Sequence, residues 1–353
     1  MVQGHTLDVL LAPAYRDGTV YKVWLFLRGL TAPVFFILSG VSFTVSTTKY
    51  WDHYSRRSWK LLRRLWRFGF FILLGYVMHL PAARWQDFRY VDAQGWQSWL
   101  QVDVLQCIGL TLLFLQLLVL FSGEPDRFAR WTAIGSAAVI LLTPLSWAFD
   151  WNRILPLPIA SYLSARTGSY FPLFPWTGYV MFGAALGARL RQWSAIPAQR
   201  IGNLAILGGT LAVGGLLTIL PFTWLYPKVE FWTTSPSLFM IRAGCVCFIL
   251  VFFSYVTTRF RVPERACRAL AQESLVVYFV HLSIVYGSIW NLGLRQIVGA
   301  TLSPWSTIGA ICLLLISMML MAWSWNWCKR AGPATRYALR LAVLLLAVYR
   351  PWS

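Results

Sequence analysis

The stretch QVDVLQCIGLTLLFLQLLVLF, residues 101–121, decides the fold. It holds a single charged residue, Asp103, and that residue stands near its start. As a helix rising about 1.5 Å per residue it is about 30 Å long, the thickness of a bilayer's hydrocarbon core. Eight more runs of this kind flank it, so that the predicted spans cover 22–47, 65–81, 101–121, 131–149, 171–188, 202–221, 236–258, 269–291 and 302–327. The remaining composition agrees. The 353-residue chain is 58% hydrophobic and only 12% charged, against roughly 25% charged in soluble domains. The expected fold class is all-α, a polytopic membrane bundle of nine helices. One transmembrane domain is expected over 1–330, followed by an amphipathic helix on the cytoplasmic face and a tail over 331–353.

The net charge of +19 could suggest a nucleic-acid ligand, but its distribution points elsewhere. Arg28, Arg242 and Arg350 lie in spans or at the C-terminus. Of the other basic residues, twenty fall in one set of alternating loops and eight in the other. Membrane chains keep Lys and Arg in their cytoplasmic loops. Residues 1–21 are therefore expected outside and Lys329 onward inside, and nucleic acid is excluded as a partner. The six cysteines sit in or beside apolar runs with no metal-ligand spacing, so free thiols and no metal are expected.

Polar residues inside spans are costly and mark function by default. Arg28, Thr31, Ser39 and Ser42 share a face of the first span, and Arg242 lies at a depth similar to that of Arg28. Asp103 and Gln106 start the third span, where Asp103 serves either as a helix cap or as a ligand contact. Ser274, Tyr278, His281 and Ser288 form one ridge on 269–291, with His281 about 15 Å from the outer end. His5 belongs to no complete span. Asp8, three residues on, is in reach to orient its ring. The basic run Arg56, Arg57, Lys60, Arg63, Arg64 and Arg67 is either ordinary cytoplasmic charge or a cradle for phosphates. The tryptophans of the outer loops, Trp96 and Trp99 among them, read as an interfacial belt or as a platform for sugar rings.

Several stretches together resemble the transmembrane acyltransferases related to heparan-α-glucosaminide N-acetyltransferase, and more distantly the acyltransferase-3 type enzymes that O-acylate bacterial surface sugars. These are Gly4-His5-Thr6, Phe26-Leu27-Arg28-Gly29-Leu30-Thr31-Ala32-Pro33, Phe36-Ile37-Leu38-Ser39-Gly40 and Asp103-Val104-Leu105-Gln106. Further ones are Phe171-Pro172-Leu173-Phe174-Pro175-Trp176 with Gly178, Ser235-Pro236-Ser237, Glu273-Ser274-Leu275 with Tyr278 and His281, and Gly332-Pro333.

The resemblance implies an integral-membrane acyltransferase in a bacterial inner membrane. It would move an acyl group, acetyl by preference, from cytoplasmic acyl-CoA to a hydroxyl or amine of an extracytoplasmic glycan or glycolipid. It also implies a histidine general base on the outer side, for which His5 is the nearest counterpart and His281 the second. Acyl transfer from a thioester needs such a base and a positive group near the developing oxyanion. The expected catalytic set is thus His5, Asp8, Arg28 and His281. Asp103, Gln106, Arg242 and Tyr278 are expected to contact substrate, and Arg56, Arg57, Arg63 and Arg64 to hold CoA phosphates. A transporter or flippase for a polar lipid-linked substrate would use the same polar interior, as would a non-catalytic assembly subunit. The bilayer and the acceptor are the expected partners, and a homo-oligomer is compatible with the sequence. Relatives typically begin with a further span, so a start codon assigned too far downstream is expected.

Overall fold

A computed structural model describes residues 1–330, apart from 83, 194–195, 227, 262, 289–290 and the side chains of 85, 265 and 266. The predicted C-terminal helix over 331–353 lies outside the described residues. In chain order the principal helices are α1 (Val2–Leu10), α2 (Thr19–Gly29), α3 (Thr31–Lys49), α4 (Trp59–Met78), α5 (Val104–Ser122) and α6 (Pro125–Ala148). They continue with α7 (Leu173–Gln192), α8 (Pro197–Leu217), α9 (Pro236–Arg259), α10 (Glu264–Gln272), α11 (Ser274–Tyr286) and α12 (Pro304–Arg330). Among the described residues, extended pairing is confined to two isolated bridges, Leu11 with Leu302 and Ser288 with Asn291.

Six stretches are long and apolar enough to cross a membrane: 19–49, α5, α6, α8, α9 and α12. The protein is therefore an all-α membrane protein. The other predicted spans correspond to α4 and α7, of 20 residues each, and to α11, of 13.

Two predicted spans are interrupted. The first breaks between α2 and α3, after Gly29 and just ahead of Pro33, which sits in the first turn of α3 where its missing N–H costs nothing. Arg28 closes α2 while Thr31 and Ser39 belong to α3, and Ser42 is exposed. The second breaks at Glu273, and α11 ends at Tyr286 because Gly287 adopts a φ of 83°. A side-chain-bearing residue rarely takes that conformation. Ser288 accordingly lies off the ridge. His281 is five residues from the helix end, about 7.5 Å at 1.5 Å per residue, rather than 15 Å.

The described residues gather into two compact units, each assembled from separate stretches of chain. In the unit formed by 1–29, 78–92 and the chain from 261 onward, α1 packs on α11 and α12. Val2, Val9 and Leu10 of α1 share a core with Val285, Leu314 and Met318. One end is stitched by Leu302 N–H to Leu10 O at 2.8 Å and Ala12 N–H to Leu302 O at 3.0 Å. At the other end Lys329 Nζ donates to Glu273 Oε2 at 2.6 Å, and Asn326 Nδ2 to Glu273 Oε1 at 3.1 Å.

The second unit contains 30–77 and 93–260, with α7 packed against α3 and α6, and α8 against α9. The α3–α7 crossing depends on absent side chains. A Cβ on Gly40 would fall 1.9 Å from Val180 O, and one on Gly183 would fall 2.0 Å from Ile37 O. Loops that alternate in sequence pair with each other. At one end Trp51 Nε1 reaches Gly123 O at 3.2 Å and Gln192 Nε2 reaches Asp126 Oδ1 at 2.9 Å. At the other, Gln97 Nε2 reaches Thr167 O at 2.9 Å and the hydroxyls of Tyr76 and Tyr162 meet at 3.0 Å.

Candidate active site

Five of the expected residues, His5, Asp8, Arg28, Tyr278 and His281, belong to the first unit. The His5 ring lies with its centroid 5.5 Å from that of His281 and 5.5 Å from that of Tyr286. His281 in turn lies 5.7 Å from Tyr278. This row of rings is built from α1 and the last two turns of α11. The shared apolar core fixes those helices, so residues 281 positions apart meet.

Each histidine is oriented through Nδ1. In His281 that nitrogen lies 2.7 Å from Val277 O. A carbonyl only accepts, so Nδ1 carries the proton and Nε2 carries the lone pair. His281 is 1% exposed, and its Nε2 is buried without a hydrogen-bond partner. Buried polar atoms are nearly always paired, and an orphan of this kind marks either a ligand position or strain. In His5, Nδ1 lies 3.0 Å from the Tyr286 hydroxyl. Burial, and next the adjoining His281, lower the His5 pKa to about 3. The ring is therefore neutral throughout the physiological range.

Asp8 does not orient His5 as the sequence spacing led us to expect. Its carboxylate forms an ion pair with Arg28, a partner twenty residues away. Arg16 packs alongside, donating to Asp8 O at 2.8 Å and Leu11 O at 2.7 Å. Burial outweighs both guanidiniums and leaves the Asp8 pKa raised. Arg28 lies across Gly4, where a Cβ would stand 3.3 Å from Arg28 Cγ. The residue before His5 therefore has no side chain at the point where the arginine passes. His5 Nδ1 instead meets the hydroxyl of Tyr286, which the sequence reading missed because it is off the ridge of Tyr278 and His281. The signal that marks it is Gly287, which ends the helix at that residue.

The remaining expected residues belong to the second unit. Asp103 Oδ1 accepts from Val104 N–H at 2.7 Å, and Gln106 Oε1 accepts from Asp103 N–H at 3.2 Å, a reciprocal cap on α5. Gln106 is wholly buried with Nε2 unpaired. Arg242 lies in hydrogen-bonding reach of Tyr179. Arg56, Arg57 and Arg63 are exposed. Arg64 differs from them. Its guanidinium carbon sits 4.0 Å from the centre of the Phe43 ring and 4.2 Å from that of Tyr54, and Nη2 donates to Thr47 Oγ1 at 2.8 Å. That arrangement commits Arg64 to holding α3 and α4 together.

No curated protein and no solved structure matches this chain. The family described as heparan-alpha-glucosaminide N-acetyltransferase, catalytic, matches residues 1–220, more than half of its length. His5, Asp8 and Arg28 fall within the matched stretch, and the oriented residues of α11 fall beyond it. The resemblance read from the sequence and this match agree: the chain belongs to the heparan-alpha-glucosaminide N-acetyltransferase catalytic family, a family of membrane acetyltransferases.

Proposed function

We propose that this protein transfers an acetyl group from acetyl-CoA to a hydroxyl or amine of an extracytoplasmic glycan or glycolipid, with His5 as general base. The observation that carries the reading is the half-buried His5 ring 5.5 Å from that of His281, with Asp8 of the same helix paired to Arg28. In the step envisaged, His5 takes the proton of the acceptor O–H or N–H as that atom bonds to the thioester carbon. The C–S bond breaks, and the departing thiolate of CoA takes the proton back, which leaves the base unchanged. Arg28 supplies positive charge as the carbonyl oxygen becomes an oxyanion.

The orientation expected from loop charge puts this chemistry on the outer side of a bacterial inner membrane. The pairing of loops supports the grouping of loops into two sides on which that orientation rests. Residues 10–12 bond to Leu302, joining two loops assigned outside, and Lys329 joins the approach to α11, both assigned inside. The exposed Arg56, Arg57 and Arg63 then face the cytoplasm, where CoA phosphates are available. Asp103, Gln106, Arg242 and Tyr278 remain candidates for contacts along the acceptor's route.

The test uses purified protein in sealed proteoliposomes with radiolabelled acetyl-CoA and glucosamine as acceptor. His5→Ala is expected to lower acetyl transfer by at least about 100-fold, the lower range for a general base, with an unchanged melting temperature. Full activity in His5→Ala would remove His5 from the role. Glucosamine carried across the bilayer without gaining label would favour a transporter.

A further inference from the structure

Tyr286 is held with more care than an incidental neighbour of His5 would be. Gly287 N–H bonds to Ser283 O at 3.0 Å, and Asn291 Nδ2 reaches the same oxygen at 2.8 Å. Gln296 Nε2 donates to Tyr286 O at 2.9 Å while its Oε1 accepts from Gly293 N–H at 2.8 Å. Gly293 presses so closely on this corner that a Cβ there would fall 2.5 Å from the carbonyl carbon of Tyr286 and 2.1 Å from Gly287 N. The turn after α11 is thus a clamp on one residue, and the hydroxyl of that residue meets His5 Nδ1.

A phenol can donate or accept, and the two cases have opposite consequences. If Tyr286 donates to Nδ1, then Nε2 of the neutral ring carries the proton and cannot take another from an acceptor. If Nδ1–H donates to the Tyr286 oxygen, Nε2 keeps its lone pair. His281, the adjoining ring, is held in this second tautomer by Val277 O.

We propose that Tyr286, clamped by Gln296 and Gly293, is the positioning residue that holds His5 in the Nδ1–H tautomer, so that Nε2 is the basic atom. This inference rests on His5 being the base, and it adds which nitrogen acts and what selects it. Free imidazole side chains in water sample both tautomers. A Tyr286 oxygen that accepts from Nδ1–H removes that choice and aims the ring at the same time. An orienting partner that fixes the tautomer is a recurrent requirement of histidine chemistry.

The experiment combines two readouts on protein in bilayers. Solid-state NMR of ¹⁵N-histidine-labelled protein reports tautomers directly. The chain has only four histidines, and His5→Ala assigns the signal. Acetyl transfer from acetyl-CoA to glucosamine gives kcat and KM. In the wild type His5 is expected as Nδ1–H. Tyr286→Phe, which removes one oxygen, is expected to mix the tautomers and lower kcat ten- to a hundredfold, with KM values within twofold. Gln296→Leu, which loosens the clamp, should lower kcat several-fold alone and add nothing in the Tyr286→Phe background, since both act through one hydroxyl. An Nε2–H signal for His5 in the wild type overturns the proposal. So does a Tyr286→Phe protein in which either the tautomer or kcat is unchanged. Activity retained in His5→Ala is the separate result that defeats the general-base reading itself.

Discussion

Replacing Gly40 by alanine adds one methyl group to α3 where it crosses α7. The added Cβ stands 1.9 Å from Val180 O and 2.6 Å from Ala184 N. Carbon and carbonyl oxygen do not approach closer than about 3.3 Å, so the helices would need to separate by about 1.4 Å. Both obstacles are backbone atoms, which have no rotamer to turn away. A gap of 0.5–1 Å already forfeits a quarter to a half of each contact's attraction, so the packing of α3 against α7 would lose more than half of its dispersion energy locally. Overpacking ordinarily costs about 1–3 kcal/mol, and a rigid obstruction on both sides belongs at or above the upper value. At about 2–4 °C per kcal/mol, the melting temperature should fall by roughly 6 °C or more. Cys107 and Cys247 are fully buried in α5 and α9, so a thiol-reactive fluorophore reports their exposure as detergent-solubilised protein is heated. Gly69 of α4 has open space where a Cβ would go. Gly69→Ala should therefore be neutral or slightly stabilising, by up to about 1 kcal/mol. If Gly40→Ala melts with the wild type, the crossing is not the close contact described and the argument fails.

Three further outcomes are expected. Lys329→Met should destabilise more than Glu273→Gln, by about 3–5 kcal/mol, because it strands a carboxylate that is only 2% exposed, whereas Lys329 is 46% exposed and can turn to water. Equal melting temperatures would contradict this. Arg28→Ala should lower kcat/KM for acetyl transfer by about 10²–10³, as loss of an oxyanion-stabilising group does. Asp8→Asn leaves the guanidinium in place and should cost much less, so matching losses would mean that the ion pair, not the cation, matters. The His5 conjugate acid is lowered to about 3 against an ordinary value near 6.5. Between those values the unfolded chain binds a proton that the folded one does not, so stability falls as pH drops from 6.5 toward 3. Over the same window His5 stays basic, and kcat/KM should show no acid limb near pH 6.5. A midpoint there would mean that His5 is solvated.

Much of the membrane architecture was legible because hydrophobic length is a one-dimensional property. The run at 101–121 appears as α5, which starts at Val104 and ends at Ser122. The breaks were legible too, had helix punctuation been weighed against hydropathy: Gly29 with Pro33, and Gly287, mark them in the usual way. Averaged hydropathy passes over these positions because neither glycine nor proline interrupts an apolar run. The break at Glu273 carries no such mark. The carboxylate of Glu273 finds Lys329 and Asn326, which only the folded chain brings near. His5, Asp8, Arg28 and His281 were singled out from the sequence and do meet in the fold, but their pairing was not legible. Asp8 was matched to His5 because it stood three residues away, and it belongs instead to Arg28. Partners chosen in three dimensions leave no trace in local spacing. Arg64 makes the same point: in sequence it is one of six neighbouring cations, yet its place between Phe43 and Tyr54 distinguishes it from Arg63 on the next position.

The backbone bonds between Leu10, Ala12 and Leu302 bear on the order in which the protein is made. Residues that orient His5 leave the ribosome some 280 positions after it, and the strand contact that pins its helix comes later still. During synthesis the early chain therefore carries a histidine and a tethered arginine that belong to an unfinished site. If the site acts as proposed, acetyl transfer can begin only when α11 and the following turn are inserted, and the last helices then act as the release of the activity rather than as its support.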